Sequence, residues 1–394
     1  MKFTKEQVAQ LRAETPACET VLHFNNAGAS LMPNQVYEAV VGHLSLERDV
    51  GGYEASALAR ASLNHFYEAL ATLLRVKPEE IAYVENATRA WDMAFYALPL
   101  KEGDRIITHA SEYVSNYLAF LHMAKRRGVE IDLAPSDDAG QIDIDALSGI
   151  ITPRTKLIAI THVPTQGGLI NPAAKVGRIA RQHDLIYILD ACQSVGQIDL
   201  DVPKIGCHIL SGTGRKFLRG PRGTGFLYIS NELVNELDPP FIDLHAATWT
   251  DAKSFEIVPG ARRFENWESY VAGRVGLASA VDYALNIGVA AIEGRVIDLA
   301  ETLRSRLSKI DDVTVHDLGA QKCGIVTFDK AVEEPEDLKR RLLADNRINI
   351  SVTDRTSAQL DFTRRGLRAV ARASVHYFNT EAEVEDFCEA IAKG

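Results

Sequence analysis

Cysteine, long apolar runs and surplus positive charge are what this chain has least of. Five cysteines, Cys18, Cys192, Cys207, Cys323 and Cys388, are scattered over 394 residues with no close pair. Such spacing offers neither a metal-ligand pattern nor a disulfide framework and suits a reducing compartment, so a cytoplasmic protein without a bound metal is expected. No apolar stretch approaches the ~20 residues of a membrane-spanning helix, and no membrane partner is expected. The start, Met1-Lys-Phe-Thr-Lys-Glu-Gln7, is a polar helix opening without the apolar core of a signal peptide. The formal net charge is -10, and basic clusters such as Lys125-Arg-Arg127 are short, which argues against a nucleic-acid partner. Internal repeats and low-complexity tracts are also missing.

What remains is an ordinary globular composition, 46% hydrophobic and 24% charged, on a chain too long for one typical core. Runs of strand character alternate with helical ones. Ile81 to Val84, Asp104 to Thr108, Val129 to Ala134, Leu157 to Thr161, the run ending at Asp190, the run near Leu210 and Phe226 to Ile229 are expected strands. Helices are expected from Pro33 to about Arg48, Ala55 to Leu74, Thr88 to Leu98, Asn116 to Arg127 and Ala173 to His183. This alternation predicts an α/β fold with a mainly parallel sheet. Asp243 to Ile257 is expected to be a loop-rich boundary, followed by a helical zone from Tyr270 to Leu307 and a final helix from Thr380 to Lys393. The expected organisation is an N-terminal helix and linker over 1–20, a large domain over 21–255 and a smaller α+β domain over 256–394.

The chemistry concentrates around one lysine. Lys216 lies in Ser211-Gly-Thr-Gly-Arg-Lys-Phe-Leu-Arg-Gly-Pro-Arg-Gly-Thr-Gly225, where several glycines each give up backbone entropy. Upstream, the apolar run Leu185-Ile-Tyr-Ile-Leu189 ends in Asp190, and the carboxyl end of a parallel strand is where α/β sheets bind ligands. An amine, a carboxylate at a strand end and donors for a phosphate together suit pyridoxal phosphate. Asp190 would keep a pyridine nitrogen protonated; its plainer role is to cap the next turn. Gln193 could reach the ring hydroxyl. Asn86-Ala-Thr88 opens a helix and, with Thr213 and Arg215, could hold the phosphate, although Thr88 could equally be only the helix cap. Arg372, in the apolar run Val370-Ala-Arg-Ala-Ser-Val375, needs an anion: either a substrate carboxylate or an internal salt bridge.

At these residues the chain resembles the class V aminotransferase family of pyridoxal-phosphate enzymes of fold type I, which includes cysteine desulfurases, selenocysteine lyases and isopenicillin N epimerase-like proteins. The resemblance runs from Phe24-Asn-Asn-Ala-Gly28 to Asn379-Thr380 and rests on Asp190-Ala-Cys-Gln193, Thr213-Gly-Arg-Lys216 and Gly220-Pro-Arg-Gly-Thr-Gly225. It implies a seven-stranded, mainly parallel sheet in the large domain. It also implies that Lys216 is the Schiff-base lysine and that Asp190 partners the pyridine nitrogen. Gln193 and Thr165 fall beside the phenolic oxygen, Ala87, Thr88, Thr213 and Arg215 in the phosphate cup, and Arg372 on the substrate carboxylate. Arg355, Tyr113, His162 and Trp267 are candidates for the rest of the substrate side. A homodimer is expected, with Arg262-Arg-Phe-Glu-Asn-Trp267 near its interface.

Two departures from the family pattern set the expected reaction. The ring-stacking histidine of desulfurases falls on Val114, which leaves Tyr113 as a substitute. The loop that carries their catalytic cysteine corresponds to Arg355-Thr-Ser-Ala-Gln359, which has none. The expectation is therefore a β-eliminating C–S lyase acting on an α-amino acid and not a persulfide-forming desulfurase, with an aminotransferase or an epimerase as alternatives. A non-catalytic protein on the same scaffold would be expected to lose Lys216 or Asp190 first, and both are present.

Overall fold

A computed structural model of the protein describes residues 3–393. Its centre is a sheet of seven strands: β1 (Ile81–Val84), β2 (Arg105–His109), β3 (Glu130–Ala134), β4 (Thr155–Thr161), β5 (Ile186–Asp190), β6 (Ile209–Thr213) and β7 (Gly225–Ile229). Their spatial order is β1-β7-β6-β5-β4-β2-β3. Only β7 runs against its neighbours; every other pairing is parallel. Near-continuous apolar runs form these strands because the sheet is covered on both faces. Alternation sends Ile158, Ile160, Tyr187, Leu189 and Leu210 into one core, and Leu157, Ala159, Ile188 and Ile209 into the other.

The helices that bear on the argument are α1 (Asn34–Val50), α2 (Arg60–Leu74), α3 (Ala87–Ala97), α4 (Val114–Arg127), α5 (Ala173–Gln182), α6 (Val271–Ile287), α7 (Val289–Leu307) and α8 (Glu381–Ala392). The single helix expected over Ala55 to Leu74 is broken at Ala59 (φ -86°, ψ 8°), which ends Gly52–Leu58 and precedes α2. Hydrogen bonds from Ala59 N–H to Ala55 O and from Leu63 N–H to Ala59 O carry the chain through, so the apolar period gives no sign of the kink. The helical zone after Tyr270 divides at Gly288, whose φ of 93° no helix accommodates, and α6 and α7 meet at 79°. The stretch expected to be loop-rich carries a hairpin, β8 (Ala247–Asp251) with β9 (Ser254–Ile257). Both of its faces are largely exposed, so no alternation marks it. No single helix among the described residues is long and apolar enough to cross a membrane.

The C-terminal part holds an antiparallel sheet of β10 (Val313–Val315), β11 (Ile325–Lys330), β12 (Ser351–Asp354) and β13 (Ala369–Ser374), in the order β10-β11-β13-β12. The N-terminal segment joins it. Leu22–His23 pairs with Ile348–Asn349, and Asn25 bridges Ser374. This placement brings the following residues to the loops of the seven-stranded sheet, where Ala27 O accepts from Gln193 Nε2 and Gly28 O from Arg215.

Candidate active site

The functional side chains come from the carboxyl ends of parallel strands, where the loops of an α/β sheet form a crevice. β5 ends in Asp190, β6 in Thr213, and β4 leads into the loop holding Thr165; β1 leads into α3. One cleft is lined by Ala87, Thr88, Thr165, Asp190, Gln193, Thr213, Arg215 and Lys216, all expected from the sequence. Two glycines make the approach possible. A Cβ on Gly225 would stand 2.9 Å from the Asn86 carbonyl carbon, and one on Gly214 would stand 2.3 Å from Thr224 Oγ1.

Lys216 is 8% exposed, with its ammonium 6.0 Å from the centre of the Tyr113 ring. Burial, assisted by the Arg215 charge and opposed by Cys192 and Asp190, lowers its pKa to about 8. A neutral amine is thus available near neutral pH. Asp190 is fixed on both oxygens: Oδ1 accepts the Cys192 N–H at 2.8 Å and Oδ2 accepts Asn116 Nδ2 at 2.9 Å. Asn116 also donates to Glu112 Oε1 at 2.9 Å, and Thr108, Thr161 and the Tyr113 N–H donate to the same carboxyl. Burial pushes the Glu112 carboxyl up to about 7, against the pull of those donors.

At the opposite end, the Asn86 side chain accepts the Arg89 N–H at 2.8 Å and so caps α3. That contact answers the question about Thr88, which is not the cap. The first-turn amides of Ala87 and Thr88 have no acceptor within the helix and lie beside Arg215, an arrangement suited to an anion. Arg215 itself donates to Gly28 O at 2.7 Å.

Arg372 is buried beside Thr165. Its guanidinium donates to Thr165 Oγ1, to Thr165 O at 3.2 Å and, at 3.5 Å, to Asn25 Oδ1, while Nε has no partner. No carboxylate among the described residues pairs with it, so the internal salt bridge is not found. Burial and the nearby Arg215 lower its pKa to about 10, the mark of a cation short of counter-charge. Arg355 is not brought to the cleft: it is exposed and donates to Leu367 O at 3.2 and 2.9 Å. Trp267 is exposed against Tyr53, and His162 is buried outside the cleft lining. Tyr113 lines the cleft, whereas Val114 does not.

Sequence reading missed three participants. Asn116 donates to Asp190 from 74 residues upstream and also to Glu112, and no local pattern links them. Cys192 lines the cleft beside Asp190; its position two residues past a strand-end carboxylate was the available signal.

An α/β fold whose strand ends gather a buried lysine, a doubly fixed aspartate and a helix N-terminus defines a cofactor-dependent enzyme class. The aminotransferase class-V family model matches residues 22–387, and the chain belongs to that family. A protein of Xylella fastidiosa (strain Temecula1) named probable cysteine desulfurase is 31% identical over 403 residues, covering 98% of this chain and 94% of that one. The apo structure of a cysteine desulfurase from Thermococcus onnurineus NA1 superposes with a TM-score of 0.91 at 26% identity, covering 100% of this chain and 99% of that one. A structure of C-DES with glycine covalently linked to its pyridoxal-phosphate cofactor shares the fold, with a TM-score of 0.87 at 21% identity, covering 97% and 98%.

The protein is therefore a pyridoxal-phosphate enzyme of fold type I, as the sequence resemblance implied. The cleft fits that cofactor. Gln193 Oε1 in its lining and Arg372 Nε, on the guanidinium bonded to Thr165, are buried without partners, beside an amine of lowered pKa and an uncompleted helix N-terminus. The exclusion of a persulfide-forming desulfurase does not stand, because the relatives and the structural neighbour carry that name. The error was to judge a sulfur transfer by one loop, Arg355 to Gln359, when the bond to be broken belongs to the substrate and a thiol can enter from elsewhere.

Proposed function

We propose that the protein breaks the C–S bond of cysteine and passes the sulfur to a thiol, a cysteine desulfurase reaction. The observation that carries this reading is the Lys216–Asp190 machinery in one cleft together with Arg372, which has no carboxylate partner among the described residues and is bonded to Thr165 of the cleft wall. The relatives' names point to the sulfur amino acid. The reaction balances as cysteine plus R–SH giving alanine plus R–S–SH: the Cβ–S bond breaks, an S–S bond forms, and Cβ gains a hydrogen.

Pyridoxal phosphate, when bound, supplies an aldehyde for the amino group and a ring that takes up the electron pair left at Cα. The rest is done by the chain. Arg372 clamps the substrate carboxylate with its planar fork and thereby orients Cα. Lys216, as a neutral amine, would remove the α-proton and return a proton to the product. Asp190, held by Asn116 and the Cys192 N–H, would keep the ring nitrogen protonated. The amides of Ala87 and Thr88, with Thr213 and Arg215, would hold the phosphate.

The acceptor thiol comes from outside the chain. Cys192 is the one cysteine lining the cleft among the described residues, and burial followed by the Asp190 charge raises its thiol well above the usual value. A thiol so held is a poor nucleophile. The other four cysteines are buried and line no part of the cleft. The experiment is turnover of cysteine at increasing 2-mercaptoethanol. Alanine formation that rises with the added thiol, and survives Cys192→Ser, supports the reading. Alanine and a protein persulfide formed without added thiol, and lost in Cys192→Ser, would place the acceptor inside the chain.

We further propose a homodimer. Tyr53, Trp249, Phe255 and Trp267 stand 69%, 79%, 54% and 50% exposed, and Phe241 lies exposed under Arg89 of α3 beside the cleft. Large aromatics in such numbers favour a covered surface.

A further inference from the structure

Behind Asp190 lies a second buried carboxyl, and one amide joins the two. Asn116 Nδ2 carries two hydrogens: it donates to Asp190 Oδ2 and to Glu112 Oε1, each at 2.9 Å. Glu112 is 5% exposed and does not line the cleft, so it meets no ligand there. It is nevertheless surrounded by donors. Thr108 Oγ1 reaches Oε2 at 3.0 Å, while the Tyr113 N–H, at 2.9 Å, and the Thr161 hydroxyl reach Oε1. Four donors suit a charged carboxylate. The groups facing it from β2, β4 and α4, namely Thr108, Thr161 and Asn116, are neutral. From β5 come Asp190, whose charge opposes its ionisation, and Tyr187, whose phenol is raised by burial and then by the Cys207 and Glu112 charges.

We propose that Glu112 is a positioning residue for Asp190: acting through Asn116, its charge strengthens the hold of Asp190 on the proton of the cofactor's ring nitrogen. The inference rests on Asp190 as the partner of that nitrogen. A negative charge behind Asp190 makes it a stronger base and favours a positive group in front of it. The run Glu112–Asn116–Asp190 also polarises as a unit, since each hydrogen bond strengthens the next. The direction suits the task. Burial brings the Glu112 carboxyl up to about 7, so it gains its charge as pH rises through that value. A ring nitrogen loses its proton as pH rises, and the hold on it tightens in step.

The test reads the ring nitrogen and not turnover. The protein is loaded with pyridoxal phosphate carrying nitrogen-15 in the ring, and the NMR signal that separates a protonated from a free ring nitrogen is followed over rising pH. Glu112→Gln keeps the size of the side chain and an acceptor for Asn116 but removes the charge. Its ring nitrogen should lose the proton about one pH unit or more below the unmodified protein, roughly a tenfold loss of proton affinity. Thr108→Val, which leaves Glu112 in place without one of its donors, should move the titration the same way by less. Asp190→Asn should move it furthest. A folded Glu112→Gln that titrates like the unmodified protein, or at higher pH, overturns the role of Glu112 and leaves Asp190 as the nitrogen's partner. If that variant does not fold, the same result in Thr108→Val does so. An Asp190→Asn protein that titrates like the unmodified one overturns both.

Discussion

Lys216 and Asp190 could be read from the sequence because each is announced locally, one by surrounding glycines and the other by an apolar strand it terminates. What holds them could not be. Asn116, which also bonds Glu112, reaches Asp190 only after α4 has packed on the sheet, and the partners of Arg372 come from Thr165 and Asn25, far away in the chain. The lowered pKa of Lys216, about 8, makes a testable demand. Only the neutral amine attacks an aldehyde, so the rate of pyridoxal-phosphate loading should rise about tenfold per pH unit below that value and level off above it. A flat profile from pH 6 to 9 would contradict the burial argument. Borohydride reduction of the loaded protein should fix the label on Lys216, and Lys216→Ala should fold yet take no label. Asp190→Asn should lower kcat by about 10²–10³-fold, comparable to losing one preorganised electrostatic group, with cofactor still bound.

Among the elements, the strands of the sheet follow their apolar runs closely, and the helices depart from expectation where a bend is involved. Ala59 and Gly288 change direction without interrupting the apolar period, so periodicity reports one helix where there are two. The hairpin of β8 and β9 escaped notice for the opposite reason: it packs neither face and so carries no pattern. The join between β7 and α3 is a close backbone contact bearing on the site. A methyl group on Gly225 would meet Gly212 O at 2.9 Å and Ala87 N at 3.1 Å, forcing apart the strand and the helix start that frames the phosphate. Gly225→Ala should destabilise the fold by about 1–3 kcal/mol, seen as a lowered Tm, and should weaken cofactor affinity. Unchanged Tm and affinity together would show that this approach is not needed.

For the whole molecule, the fold class was legible because alternation of strand and helix leaves few topologies, whereas the reaction was not. The missing thiol in Arg355 to Gln359 is a true feature of the sequence, yet it constrains only where sulfur could be stored and not which bond breaks. Arg355 also shows how far a loop position inferred from resemblance can lie from the cleft. The exposed aromatics around Trp249 and Trp267 predict a dimer, so light scattering should give twice 43.3 kDa at working concentration. A mass of one chain would leave those side chains without a covering surface.

The central claim is the fate of the cysteine carbon skeleton once its sulfur leaves. Cysteine should be incubated with the loaded protein and 2-mercaptoethanol in deuterated water, and the products identified by mass. The account predicts alanine carrying solvent deuterium, matched in amount by thiol persulfide or the sulfide released from it, with no keto acid required. Pyruvate and ammonia in place of alanine, or cysteine recovered intact with deuterium at Cα, would contradict it.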